Sequence, residues 1–205
     1  MGNLFDLLID LDRNLFFLIN SKAGIHESID SLLVIVAGDY LVPVMLSLGL
    51  IFLWFHETAE YQAMEVRKRV LIAICSLLGS CLLVMIINEL FFRERPFNLP
   101  EAKLIFYAPT DSSFPSNSTA AMFGLSIPIL KTRMRVGMMM LLASMCLAIC
   151  RVYVGVHFPG DVIGGVLVAL LSFCITILLF KVIDKQLTDA LVLFEKSKWL
   201  KVFRL

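Results

Sequence analysis

Cys150-Arg151-Val152-Tyr153-Val154-Gly155-Val156-His157-Phe158-Pro159-Gly160-Asp161 closes one long apolar segment and opens another, and it sets an arginine, a histidine and an aspartate at the junction. Ionisable side chains at such a place are costly and mark a functional site. A guanidinium that is always cationic can hold a phosphoryl group, and an imidazole can attack it. A carboxylate four residues on can hold the imidazole in the attacking tautomer. The stretch therefore implies packed membrane helices with a phosphoryl-transfer site at their ends.

The rest of the composition agrees. Of 205 residues, 59% are hydrophobic and the mean hydropathy is +0.87, whereas soluble globular domains are about 45–50% apolar. Charged residues make up 17% and the net charge is +1, which leaves no field for a nucleic acid partner. Cys75, Cys81, Cys146, Cys150 and Cys174 fall in apolar runs without paired zinc-type spacing and read as small hydrophobes. Residues 1–20 carry aspartates where a cleavable signal has a basic region, so they are expected to stay on the mature chain.

Residues 3–20 place Asn3, Asp6, Asp10, Arg13 and Asn14 on one helical face, with Leu4, Phe5, Leu8, Leu11, Leu15 and Leu18 leaning to the other. That pattern predicts a helix lying in the membrane interface, within an N-terminal segment over 1–29. The next apolar run, 30–55, is broken by Gly38-Asp39-Tyr40 and Pro43. A short surface helix followed by a span near 40–55 fits it, and the break marks either a site wall or a kink. Further spans are expected over 70–92, 116–130, 135–153 and 160–182. The fold class is thus an all-α, polytopic membrane bundle of five to six transmembrane helices plus interfacial helices, forming one domain over 1–205.

Arg67, Lys68 and Arg69 follow the first span, Lys131, Arg133 and Arg135 the third, and Lys181, Lys185, Lys196, Lys198, Lys201 and Arg204 the fifth. The positive-inside rule makes these ends cytoplasmic, with 184–205 a basic amphipathic segment on that leaflet. Loop 93–115, turn 154–161 and the N-terminus then share the opposite side.

Two further elements converge there. Asn88-Glu89-Leu90-Phe91-Phe92-Arg93-Glu94-Arg95-Pro96 ends a span at a proline. Arg95 is held at the lip, where it either grips a phosphate with parallel donors or, with Arg93, snorkels to headgroups. Asp111-Ser112-Ser113-Phe114-Pro115-Ser116-Asn117-Ser118-Thr119 precedes an apolar helix. Ser116 fits the N-cap, turning the amides of Asn117, Ser118 and Thr119 outward at the positive end of the helix dipole, where phosphate oxygens bind.

Over residues 88–165 the chain resembles the type 2 phosphatidic acid phosphatases, membrane enzymes that share a fold with vanadium haloperoxidases. The family pattern is a lysine six residues before Arg-Pro, then Pro-Ser-Gly-His or a variant, then Ser-Arg, five residues, His, three residues, Asp. Asp111 to Ser116 and Arg151 to His157 are most similar to bacterial undecaprenyl-pyrophosphate phosphatases associated with bacitracin resistance. The resemblance implies that His157 becomes a phosphohistidine, with Asp161 on its other ring nitrogen. It implies that Arg95 and Arg151 clamp the phosphate, and that Ser116 and the Asn117 amide add donors. No metal or other cofactor is implied.

Two positions depart from the pattern. Asn88 stands where the family has lysine, and Ser118 stands where it has the histidine that protonates the leaving group. Ser118 fits three accounts: an introduced substitution that traps substrate, a natural phosphatase whose leaving group needs little protonation, or a lipid-phosphate binder with a dead site. His56 falls at the cytoplasmic end, and His26 is on the site's side without a clear role. The expected reaction is conversion of undecaprenyl pyrophosphate to the monophosphate at the outer face of a bacterial inner membrane. Phosphatidylglycerophosphate, phosphatidate and lipid A phosphate are alternatives selected by loop 97–113. A transporter is disfavoured because the polar residues gather at one surface.

Overall fold

The computed structural model describes residues 4–56 and 60–196, and these are helical without strands. In chain order the α-helices are α1 (Leu4–Asn20), α2 (Glu27–Ala37), α3 (Leu41–His56), α4 (Glu60–Leu90), α5 (Asn117–Ser126), α6 (Met134–Tyr153), α7 (Pro159–Val182) and α8 (Asp184–Lys196). Asn3, Lys198, Lys201 and Arg204 lie outside the described residues, so only the α8 part of the basic C-terminal segment is described.

The bundle is apolar outside and small-residue-rich inside, as lipid as solvent requires. Leu78, Leu82 and Met85 of α4 and Ile163, Leu167 and Leu178 of α7 face outward, while Ser76, Ser80, Ser126, Ser144 and Ser172 are buried. Apart from that of Ser76, which has no partner, their hydroxyls are turned onto helix carbonyls: Ser172 donates to the Ser76 carbonyl at 2.8 Å and Ser80 to the same oxygen at 2.7 Å. Glycines bring backbones together at these seams. A Cβ on Gly165 of α7 would lie 2.7 Å from the Ser116 carbonyl oxygen, and one on Gly124 of α5 would meet Ser80 at 2.7 Å.

Three helical segments are long and apolar enough to span a bilayer among the described residues: Gln62–Leu90, Met134–Tyr153 and Pro159–Val182. The pair α2 and α3 makes a fourth if counted as one span bent by 48°. The expected count of five to six is not reached by that criterion, because segment 116–130 is divided. It forms the ten-residue α5 and then a 3₁₀ turn over Ile127–Lys131 that carries Pro128. Residues Thr119 to Ser126 of α5 are all buried, packed against α4, α6 and α7. A helix sheathed by others need not match the hydrocarbon thickness that a lipid-facing one must.

On α1, Leu7, Leu8, Leu11, Leu15 and Leu18 are exposed, in keeping with an interfacial helix, but a second stripe points inward. Asp12, Phe16 and Asn20 form it at four-residue spacing. Asn20 is wholly buried, donating to the carbonyls of Lys103 and Tyr153 and accepting from the Lys103 amide, each at 2.8 Å. Phe16 packs on Val152 and Phe158. The helix thus fastens the loop after α4 to the end of α6.

Gly155, which links α6 to His157, has φ +92°, and a Cβ there would run into the Lys103 carbonyl oxygen. Gly24 also has positive φ, +74°, but its missing Cβ would meet open space. Gly24→Ala is therefore expected to cost about 1–2 kcal/mol from backbone strain alone. Gly155→Ala should cost about 2–5 kcal/mol, strain plus overpacking, read as the larger loss of thermal stability in detergent.

Candidate active site

The catalytic end of the bundle collects the C-termini of α4 and α6, the N-termini of α5 and α7, and the break between α2 and α3. Its anchor is Asp161 at the third position of α7, wholly buried. One oxygen accepts from the Arg93 guanidinium at 2.6 Å. The other accepts from the Phe158 amide at 2.7 Å, which caps α7, and from the Ser113 hydroxyl at 2.5 Å. Arg93 reaches a second carboxylate, Asp12 of α1, also at 2.6 Å, and lies over the Phe158 ring. Asp12 in turn accepts from the Gly160 amide at 2.7 Å.

His157 is 3% exposed. Its Nδ1 lies 2.9 Å from the Ser113 carbonyl oxygen. A carbonyl only accepts, so Nδ1 carries the proton and Nε2 keeps its lone pair. Asp161 stands 3.8 Å from the same nitrogen, beyond hydrogen-bond reach. The expectation that Asp161 holds the ring directly is corrected accordingly: Asp161 holds Ser113 and Arg93, and the Ser113 carbonyl holds the ring. Burial pushes the imidazole pKa below its ordinary value; Asp161 opposes that shift, and the nearby Arg95 and Arg151 charges add to it.

Arg95 and Arg151 are both buried, but they are satisfied differently. Arg95 donates from Nε to the Asp111 carbonyl at 3.0 Å and from Nη1 to the Val156 carbonyl at 2.8 Å. Its Nη2 donates to the Asp111 carboxylate at 2.8 Å and to the Ser112 carbonyl at 3.3 Å. Arg151 pairs through Nη2 with Asp39, leaves its buried Nε without a partner, and lies over the Phe106 ring.

A cavity of about 230 Å³ brings together Arg95, Arg151, His157, Asn117 and Ser118, and adds Asp39, Tyr107 and Asp111. That volume holds about seven waters at about 30 Å³ each, a phosphate or pyrophosphate headgroup and no lipid tail. The buried Ser118 hydroxyl has no partner. Two expected contributors are not brought to this cavity. Asn88 remains on α4 and is not among the lining residues; the helix ends at Leu90 and Arg95 lies beyond it. Ser116 occupies the N-cap position without a side-chain cap; its buried hydroxyl accepts from Thr119 at 3.0 Å instead of facing the cavity.

Sequence reasoning missed Arg93, Ser113 and Asp12 as scaffold and Asp39, Tyr107 and Asp111 as lining. Only Asp12 carried a periodic signal, its four-residue spacing to Phe16 and Asn20. The break Gly38-Asp39-Tyr40 is a site wall, since Gly38 and Asp39 line the cavity.

A larger cleft of about 670 Å³ lies between α1 and the start of α7, with Leu8, Leu11, Leu15, Phe91 and Leu99 on its walls. It includes Arg93 and Arg95 but neither His157 nor Arg151, which line the smaller cavity.

Residues 69–185 match the model of the PAP2 superfamily. The chain is 25% identical over 161 residues to undecaprenyl-diphosphatase BcrC of Bacillus subtilis, covering 78% of this chain and 80% of that protein. It is 27% identical over 168 residues to the putative undecaprenyl-diphosphatase YbjG of Escherichia coli, with 81% of each covered. Among solved structures, Aquifex aeolicus LpxE superposes with a TM-score of 0.61 at 25% identity, over 82% of this chain and 94% of LpxE. The chain belongs to the PAP2 superfamily.

Two outcomes are expected from this geometry. Burial keeps His157 neutral into more acid solution than a free imidazole, so the acid limb of kcat/KM, which reports the free enzyme, should fall below pH 6.5. Asp161→Ala, which strands Arg93 and Ser113, should lower unfolding stability by about 3–5 kcal/mol, a loss that thermal melts separate from the effect on turnover.

Proposed function

We propose that this PAP2 membrane phosphatase hydrolyses a lipid pyrophosphate, undecaprenyl pyrophosphate to the monophosphate, at the non-cytoplasmic face of a bacterial inner membrane. The observation that carries the reading is the state of His157: neutral, tautomer fixed by the Ser113 carbonyl, and lining one cavity with Arg151 and the N-terminus of α5. The names of BcrC and YbjG support the choice of lipid.

In the first step Nε2 of His157 bonds to the terminal phosphorus and the lipid monophosphate leaves; in the second, water cleaves the phosphohistidine. The transferring group spreads negative charge over its equatorial oxygens. Arg151 and the free amides at the start of α5 are set to meet that charge without reorganising, which is where such a site obtains most of its rate. Arg95 contributes its charge and whichever donor Asp111 releases. Asp161 acts through Ser113 as a positioning residue. No step uses a metal.

Charge supports the sidedness. Lys68, Arg69, Lys131 and Lys181 gather around a third cavity at the opposite end of the bundle, and basic residues favour the cytoplasmic leaflet. The apolar cleft beside α1 suits an isoprenoid tail in the outer leaflet, with Arg95 on the wall it shares with the headgroup cavity.

A binder without turnover is the second reading, favoured by the unpartnered Ser118 hydroxyl where an acid would stand. Phosphate release from a short-chain lipid pyrophosphate in detergent with EDTA decides between them. Turnover by the chain as it stands, lost in His157→Ala, is expected. Ser118→His should raise the rate, by up to about 10²–10⁴-fold if an acid is limiting. Unchanged release from His157→Ala overturns the nucleophile, and silence from the chain and from Ser118→His alike establishes the binder.

A further inference from the structure

The cavity contains two guanidiniums and two carboxylates, and the pairs are not equivalent. Arg95 with Asp111 belongs to a contact that also ties Arg95 to three backbone carbonyls. Arg151 has one ion-pair partner among the described residues, Asp39, and a buried Nε with none. An incoming phosphate oxyanion therefore completes the hydrogen bonding of Arg151 while displacing Asp39. The Asp39 side chain is half exposed at the joint between α2 and α3, and its second oxygen accepts from the Tyr107 hydroxyl at 2.8 Å. Such a joint lets the carboxylate swing without disturbing either helix.

Displacement changes what Asp39 can do. Released from the Arg151 guanidinium, the carboxylate is an acceptor beside the bound phosphate and can take that group's proton. The groups around it are Arg151 from α6 and Tyr107 from the loop after α4, with Arg95, Asp111 and His157 lining the same cavity. Apart from His157, which is used as nucleophile, no imidazole lines the cavity.

We propose that Asp39 is the counter-ion that substrate phosphate exchanges for on Arg151 and, once displaced, the residue that carries the proton of the leaving group. The inference rests on the phosphohistidine reading above. As Nε2 of His157 bonds to phosphorus, the bond from phosphorus to the leaving oxygen breaks, its electron pair stays on that oxygen, and the Asp39 carboxyl delivers a proton there. In the second half a water gives a proton to the Asp39 carboxylate while its oxygen bonds to phosphorus. The electron pair of the N–P bond returns to the imidazole and Asp39 ends protonated, as it stood on displacement, when it took the proton of the bound phosphate monoanion; it hands that proton to the product phosphate as it pairs again with Arg151. Tyr107 is a positioning residue that keeps the carboxyl oriented after it leaves Arg151. Burial, followed by the hydrogen bond to Asp39, raises its phenol pKa above the ordinary value, so it remains a donor.

The test compares leaving groups. kcat/KM, which reports phosphoenzyme formation, is measured with dodecyl phosphate, p-nitrophenyl phosphate and farnesyl pyrophosphate, of which the first has a strongly basic leaving group and the other two weakly basic ones. Asp39→Asn should lose about 10²-fold or more on dodecyl phosphate and far less on the aryl ester and the pyrophosphate, and Asp39→Glu should recover part of the first loss. Tyr107→Phe, which removes one hydroxyl, should repeat the order at smaller size. In equilibrium dialysis, Asp39→Asn should bind inorganic phosphate more tightly, because a competitor for Arg151 is gone. Equal losses on all three substrates overturn the proton role, and weaker phosphate binding overturns the exchange. Absence of turnover by the unmodified chain on every substrate refutes the phosphatase reading and the proton role with it, while tighter phosphate binding by Asp39→Asn would then leave the exchange standing alone.

Discussion

A carboxylate shut away from water has to be satisfied by donors that the fold brings to it, and Asp161 is that carboxylate here. Its three short contacts come from the segment just after α4, from the loop before α5 and from its own helix N-terminus. Through Arg93 it is joined to Asp12 of α1 as well. Breaking any strand of this network leaves a buried charge uncompensated, which costs more than the intact network is worth. The ion pair is therefore weak as a source of stability and strong as a specification: one relative placement of α1, α4, α5 and α7 satisfies it.

That specification is what makes the imidazole useful. Ser113 bonds in three directions, its amide donating to the Arg93 carbonyl at 2.9 Å, its hydroxyl to Asp161 and its carbonyl accepting from His157. A backbone carbonyl held at both neighbours cannot rotate, so the ring it holds keeps one tautomer. The neighbouring seam is as tightly set. Gly165 lets α7 lie against the Ser116 carbonyl, and the Ser116 amide donates to the Asp161 carbonyl at 3.0 Å. The N-terminus of α5 and the histidine turn are thus fixed to each other by backbone groups, which side-chain motion cannot loosen.

The parts legible in the sequence are those that depend on spacing along the chain. Long apolar runs become α4, α6 and α7, and Arg95, His157 and Arg151 enter one cavity because each sits at the end of such a run. Where side-chain direction decides, the sequence is silent. Ser116 and Ser118 are two residues apart, yet Ser118 lines the cavity while Ser116 does not, its hydroxyl turned inward to Thr119. Asp161 at four residues from His157 has the spacing of an orienting carboxylate, but Phe158, Pro159 and Gly160 turn the chain between them. Asn88 follows the motif in register, yet it stays on α4 outside the cavity that Arg95, beyond the helix end, helps to line. Segment 116–130 reads as a span by its apolar content, although Pro128 and the absence of lipid contact make it a short internal helix.

The two arginines show how one residue type serves two ends in one cavity with the same imidazole. A guanidinium has five N–H donors, and the four contacts of Arg95 leave it little to offer a ligand beyond charge. Three of those acceptors are carbonyls of residues 111, 112 and 156, so Arg95 stitches the loop before α5 to the histidine turn. Arg151 comes from the last turn of α6 with its backbone already bonded in the helix and no carbonyl to serve. A buried cation in that condition is expensive unless an anion meets it. The anion that meets it is the half-exposed Asp39 carboxylate on a helix joint, which gives up less on leaving than a buried one. The under-satisfied arginine, and not the more heavily bonded one, is the position at which the fold holds binding energy in reserve for an oxyanion.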